Sequence, residues 1–394
     1  MRQSRSGPGV SVAKNGGKRE MVSIPKGQTC LWGLLRETRG NTMKKVLFAT
    51  TALVMTAGVA AAEVAVSGDA RIGLRYESNT NYGDFARNAA GDIIGYDEGD
   101  SSWNVVNRAR VKFHMTGESD AGITFGAKVR ADQAARANRG DNNSSTAGEV
   151  YVSGAYGKLT AGDIDGALEK AVGDLPEVGL TGLDFWNEFA YATSEEVGGD
   201  ASLLYEYSFG NANIYASFSD GYIGNTSIKR DDNAWAIGLG YDLGDYTFGI
   251  GYESAEYTIN PFVIDDDGIE SVAVGPLGFA APSDTWGISG GTSWNGITFK
   301  AAYLKTSSDD DLLDYAQYGL GMGYEMSNGV GLTAFYRKND FKNVDVDGRA
   351  FGLGASYDLG GGATIKGGVV DSKINVGSYD IDNTLADFGL EFKF

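Results

Sequence analysis

One cysteine, one histidine and one long apolar run in 394 residues each exclude a class of protein. A single Cys30 cannot form an internal disulfide. A lone His114 leaves no zinc spacing, and no phosphate-cradling loop or nucleotide fingerprint accompanies it. With 58 Gly, chance matches such as Gly238-Leu239-Gly240 arise inside strands. A helical membrane protein needs several apolar stretches of about 20 residues, and only Val46 to Ala62 is long. Cations are scarce as well, 33 Lys and Arg standing against 52 Asp and Glu.

The one apolar run follows Met43-Lys44-Lys45 and ends Ala60-Ala61-Ala62 before Glu63. Two positive charges, a short apolar centre and a small-residue site describe a secretory signal peptide over 43–62. Small Ala, Thr and Gly dominate and no stop-transfer charges follow, which argues against a membrane anchor. Residues 1–42 are basic and aperiodic, and read as an over-extended start or a disordered leader. The fold is therefore expected in 63–394, without Cys30. Ten of the basic and two of the acidic residues fall in 1–62, so the remaining 332 residues carry 23 and 50, a net charge of −27. Such a surface repels nucleic acid and suits divalent cations.

What the chain does have is alternation. Its end places Ala386, Phe388, Leu390, Phe392 and Phe394 on one side of a strand, and Asp387, Gly389, Glu391 and Lys393 on the other. Period-2 segments between turn signals predict sixteen strands: 63–77, 103–117, 122–136, 148–155, 158–163, 201–209, 211–220, 232–243, 245–257, 284–294, 297–306, 316–327, 330–340, 349–359, 362–371 and 383–394. Short connections such as Gly244-Asp245, Asn295-Gly296 and Asn328-Gly329 suit hairpin turns. They alternate with long polar ones over 78–102, 137–147, 164–200, 258–283, 307–315 and 372–382. Short turns at one rim and long loops at the other are the anatomy of a transmembrane β-barrel with a wet interior. No blade-length repeat supports a propeller. Tyr76, Trp103, Tyr241, Trp294, Tyr357 and Phe394 lie near strand ends, where aromatic girdles form.

Three stretches carry a more specific likeness: 63–71 (EVAVSGDAR), 351–362 (FGLGASYDLGGG) and 388–394 (FGLEFKF). They resemble the general porins of Rhodobacter and related alphaproteobacteria, over essentially all of 63–394. The resemblance implies a sixteen-stranded antiparallel barrel of the Gram-negative outer membrane, assembled as a homotrimer and embedded in outer-membrane lipid. It would pass small hydrophilic solutes and ions by passive diffusion. The terminal Phe394 resembles the signal that barrel-assembly machinery reads on its clients.

Face by face, strands one to three turn Arg71, Arg75, Arg108, Arg110, Lys112, Lys128 and Arg130 to the same side. A cation facing lipid costs roughly 2–4 kcal/mol at midplane, so this side must be the lumen. The connection 164–200 mixes many acids with Leu168, Val172, Leu175, Trp186 and Phe189, too apolar to float in water. By the porin resemblance it folds inward as a constriction loop. Asp165, Glu169, Asp174, Glu177 and Asp184 are then expected to face the basic wall. Opposed charges would filter solutes by polarity and size; solvated salt bridges within the wall are the plainer reading.

No cofactor is required. Asp265, Asp266 and Asp267, and Asp309, Asp310 and Asp311, are either solvated acidic loops or oxygen-ligand sites for calcium. His114 points inward beside Arg110 and Lys112, which disfavours a hydrolase on the lipid-facing wall. Two other functions stay open: a substrate-selective, anion-favouring channel, and a structural or adhesive barrel with a plugged lumen.

Overall fold

Strict alternation along every strand leaves each with an apolar and a polar face, and closing the sheet on itself satisfies both at once. The computed structural model describes residues 63–79, 84–87, 93–97, 99–131, 148–192, 202–219, 233–256 and 282–394. The expectations for 1–62 and for Asp265, Asp266 and Asp267 lie outside them. The described residues begin with β1 (Glu63–Glu77), then a separate two-stranded sheet of β2 (Asp84–Arg87) and β3 (Ile93–Asp97), where only a loop was expected. It continues through β4 (Ser102–Glu118), β5 (Thr124–Arg130), β6 (Glu149–Gly154) and β7 (Gly157–Gly162). After a short helix, α1 (Ala167–Val172), come β8 (Ser202–Phe209), β9 (Ala212–Ser219), β10 (Ala234–Leu243) and β11 (Tyr246–Ala255). The last strands are β12 (Ser283–Trp294), β13 (Ile297–Ser308), β14 (Tyr315–Glu325), β15 (Val330–Phe341), β16 (Val346–Gly360), β17 (Ala363–Val376) and β18 (Tyr379–Lys393).

β1 and β4 to β18 form one closed antiparallel barrel of sixteen strands. Its seam pairs β1 with β18, Asp69 opposite Lys393 and Glu77 opposite Leu385. Every edge of the barrel sheet is thereby paired, as hydrocarbon requires. At the Asn295-Gly296 hairpin both residues take positive φ, 50° and 80°, the conformation whose twist matches that of its flanking strands.

The predicted long loop over 372–382 is a correction. β17 and β18 run on to Val376 and Tyr379 and join through Gly377, φ 60°. Polar residues there resemble a loop, but Lys373 pairs with Asp380 at 2.6 Å and Asn375 Nδ2 donates to Asp347 at 2.9 Å across strands. The faces also change character at this rim. Ile374, Val376, Ile381 and Leu385 turn inward and are buried, while Asp371, Lys373, Asp380 and Asp382 turn outward. Apolar-out gives way to polar-out where the wall leaves the hydrocarbon.

Along the rest of the wall, Val105, Ile237, Leu239, Ile250, Leu353 and Phe388 project outward and exposed. Tyr76 packs at a tilt against Trp103, ring centres 5.0 Å apart, as do Trp235 and Tyr252 at 5.5 Å and Trp286 and Tyr303 at 5.4 Å, towards the long-loop ends of their strands. Such amphipathic rings suit the interface between acyl chains and headgroups.

Candidate functional site: the inner loop and the lumen

Beyond β7 the chain turns into the barrel, and 163–192 packs on the inner wall. α1 has only six residues and no side-chain cap, so it cannot be stable alone. The barrel holds it: Ala167 N donates to Ser217 Oγ at 2.9 Å, and Ala167, Leu168 and Val172 are buried. Close approach requires glycine beneath. A Cβ on Gly249 would collide with Ala171 O, and one on Gly321 with the Pro176 ring. Further along, Val178 lies over Gly354, Gly179 over Gly368, and Leu180 between Gly73 and Gly389. The segment thus follows a track of inward glycines from β10 round to β1.

Its far end is fastened at the seam. The buried Asp387 on β18 accepts hydrogen bonds from Leu180 N at 2.9 Å, Thr181 N at 2.7 Å and Thr181 Oγ1 at 2.8 Å. The chain then reverses through Leu183, Asp184 and Phe185, whose φ values of 47°, 60° and 52° are left-handed. Three such non-glycine residues in a row persist only where the surroundings fix them. Arg75 does so, its Nη2 donating to both Asp184 oxygens at 2.6 and 2.7 Å.

The return leg is equally tied. Asn187 Nδ2 donates to Leu175 O at 3.0 Å and Phe189 N to Asp174 Oδ1 at 2.8 Å. Gln317 brackets Ala190, accepting from its N at 2.9 Å and donating to its O at 3.1 Å, while Arg337 Nη2 donates to Gln317 Oε1 at 2.9 Å. Arg337 also lies over the Phe189 ring at 5.5 Å. Ala192 N reaches Glu253 Oε1 at 2.6 Å.

All seven cations of the basic wall lie on the inward face of β1, β4 and β5. Register sets Arg71 opposite Arg108, Lys112 opposite Arg130 and His114 opposite Lys128. Like charges directly opposite repel, and acids within the wall offset part of this. Asp69 lies 2.7 Å from Arg108 and 3.8 Å from Lys112, and Glu149 lies 2.5 Å from Lys128. Arg71 Nη1 donates to Leu180 O at 3.3 Å.

The five loop acids separate. Asp184 touches the wall at Arg75, and Glu177 is exposed within electrostatic range of Arg71. Asp165 pairs instead with Lys170 of the same loop. Glu169 and Asp174 are withdrawn among acids and the cations of another wall; Asp174 interacts with Lys300 on β13 and Arg337 on β15. Burial, reinforced by Asp165, Asp174 and Glu188, pushes the Glu169 carboxyl well up. Burial also raises Asp174 to about 6, against the Phe189 N–H, Lys300 and Arg337. Sequence reasoning missed Glu253, Lys300, Gln317 and Arg337. Strand parity carried the signal, since each sits at an inward position of its strand.

In the other acidic run, Asp310 caps a one-turn helix by accepting from Leu312 N at 3.1 Å, and Asp311 O accepts from Asn343 Nδ2 at 2.5 Å. Asp309 N donates to Pro282 O at 2.9 Å. Among the described residues, no three His, Cys, Asp or Glu side chains gather as a metal site would require.

A sixteen-stranded barrel with a long segment folded inside it can be compared directly with known proteins. A model of the Gram-negative porin family matches residues 49–375. The chain belongs to that family. It is 33% identical over 370 residues to a porin of Rhodobacter capsulatus, covering 84% of this chain and all of the relative. A porin structure refined at 1.8 Å superposes with TM-score 0.62 and 31% identity over 84% of this chain and all of that one. An anion-selective porin from Comamonas acidovorans, 15% identical with TM-score 0.55, covers the same share of this chain and all of its own, and shares the fold. This porin is thus a diffusion channel of the outer membrane, passing small hydrophilic solutes and ions. Its family and fold are those of a channel, which places the working chemistry in the lumen.

Proposed function

We propose that 163–192 is the constriction of this porin, and that the wall of Arg71, Arg75, Arg108, Arg110, Lys112, Lys128 and Arg130 polarises it. The observation that carries the reading is the contact of Asp184 with Arg75, where the inner loop's turn meets the basic wall. Glu177 and Asp184 supply the negative side, and Asp165 a lesser part near α1. A solute crossing between them meets a transverse field. A dipolar solute aligns with it, whereas an apolar one displaces ordered water without compensation. Asp69 and Glu149 moderate the wall without cancelling it.

In this reading the protein has no catalytic role and works as a homotrimer, exported by residues 43–62 and folded through recognition of Phe394. The test is reversal potential in planar bilayers under a salt gradient, for wild type and for R108Q/R110Q/R130Q. Conductance in steps of three and a shift towards cations in the variant are expected. Unchanged selectivity would place that wall away from the constriction, and absence of conductance would favour a plugged, structural barrel.

A further inference from the structure

On β15, β16 and β17 the outward face carries an arrangement that the lumen does not need. Register sets Lys338 opposite Arg349, and Arg349 opposite Lys373. Three cations therefore stand side by side on adjacent strands, with Cβ atoms about 5 Å apart, where like charges destabilise pairing. This occurs in a chain of net charge −19. Neutralisation is uneven. Lys338 lies 3.8 Å from Asp347, and Lys373 lies 2.6 Å from Asp380. The Arg349 side chain makes no hydrogen bond or ion pair among the described residues.

The row marks a boundary. Two residues nearer the short-turn rim, Tyr336 faces Phe351, both outward and exposed. Two residues nearer the long-loop rim, Asp340 faces Asp347. Because the long loops lie outside the cell in such barrels, the cations stand where the hydrocarbon gives way to outer-leaflet headgroups. Two hollows meet there. A polar pocket of about 440 Å³ is lined by Lys338, Arg349 and Lys373 together with Asp345, Asp347 and Asp380. An apolar groove of about 560 Å³ shares Tyr336 with it and continues over Phe351, Leu320, Met322 and Ala334. Its floor is low because Gly290 and Ala301, opposite each other in register, are both small.

We infer that Lys338, Arg349 and Lys373 bind a phosphate of a phosphorylated outer-leaflet glycolipid whose acyl chains lie in the adjoining groove. Arg349 offers a planar fork to the phosphate oxygens. Lys338 and Lys373 flank it, positioned by Asp347 and Asp380. A phosphate on Arg349 relieves the cross-strand repulsion, and an acyl chain in the groove covers surface that a smooth wall would not leave open.

The test is native mass spectrometry of the detergent-solubilised protein, titrated with diphosphorylated lipid A, its dephosphorylated form or inorganic phosphate. Wild type should retain diphosphorylated lipid A, bind the dephosphorylated form at least about tenfold more weakly, and keep its lipid in millimolar inorganic phosphate. R349Q and K338Q/R349Q/K373Q should lose about tenfold or more, with conductance and subunit number unchanged. A334F, which fills the groove but spares the cations, should also weaken binding. Equal binding of dephosphorylated lipid A, or undiminished binding by the triple variant, overturns the inference. Displacement by inorganic phosphate would make this a small-anion site, and a changed subunit number a contact between copies; either overturns it too.

Discussion

Replacing Asp387 tests whether the inner loop is a fixed part of the lumen or a mobile one. The carboxylate receives two backbone N–H groups and one hydroxyl from the loop, and Leu180 and Thr181 are both buried. In D387A those two N–H groups lose their acceptor. A buried donor left unsatisfied costs about 1–3 kcal/mol, so the anchored state should lose about 2–6 kcal/mol. That corresponds to roughly 30-fold to 10⁴-fold in the anchored population. D387N keeps an acceptor oxygen but not the charge, and since charge-assisted bonds are about twice as strong as neutral ones, it should lose roughly half as much. The barrel should survive both changes, because its strands are paired independently of this contact and opening is local. Single-channel recordings should show current noise rising from wild type through D387N to D387A, and limited proteolysis should cut within 163–192 in the same order. Heat-induced unfolding of the barrel, followed by gel mobility, should barely move. A quiet wild-type-like trace from D387A would refute the anchor, and barrel unfolding in step with the noise would refute its local character.

Three further outcomes follow from the same geometry. G249V forces a side chain into the space of Ala171 O, an overpacking of about 1–3 kcal/mol; it should displace α1 and alter conductance, whereas G244A at an open turn should not. Reversal potential should move towards cations in R75Q and towards anions in D184N, and the shift of the double variant should depart from the sum of the two; simple addition of the single shifts would break the proposed pair. The third concerns pH. Burial raises Asp174 from 3.8 to about 6, so its protonated form stabilises the loop fully below the ordinary carboxylate range, and that contribution is lost as pH rises through about 6. Lowering pH through 6 should remove a negative charge from the lumen and reduce cation preference, a change that D174N should abolish. Persistence of the titration in D174N would assign it elsewhere.

Much of the barrel was legible because its information is local. All sixteen predicted barrel strands are present, and Arg71, Arg108 and Lys112 share the face opposite the exposed apolar residues, as parity alone implies. The extension of β17 and β18 was not legible. There the outward face meets headgroups and water instead of hydrocarbon, so Lys373, Asp380 and Asp382 broke the expected pattern although pairing continued. The partners of Asp165, Glu169 and Asp174 were hidden for another reason. Charge composition shows that acids and bases coexist, but not which lie within reach. Lys170 was near in sequence; Lys300 and Arg337 lay far along the chain.

Alternation by itself determined which side of each strand meets lipid, since side chains point to opposite faces whatever the neighbouring strand. Turn residues determined which strands are joined tightly, because positive φ at Asn295 and Gly296 is a local property. Only the tertiary structure decided the loop's course and its fastening. Arg75 finds Asp184 across 109 residues, and Leu180 finds Asp387 across 207. Those contacts exist because the sheet closes and brings β18 beside β1, and no local pattern encodes a neighbour that closure alone creates.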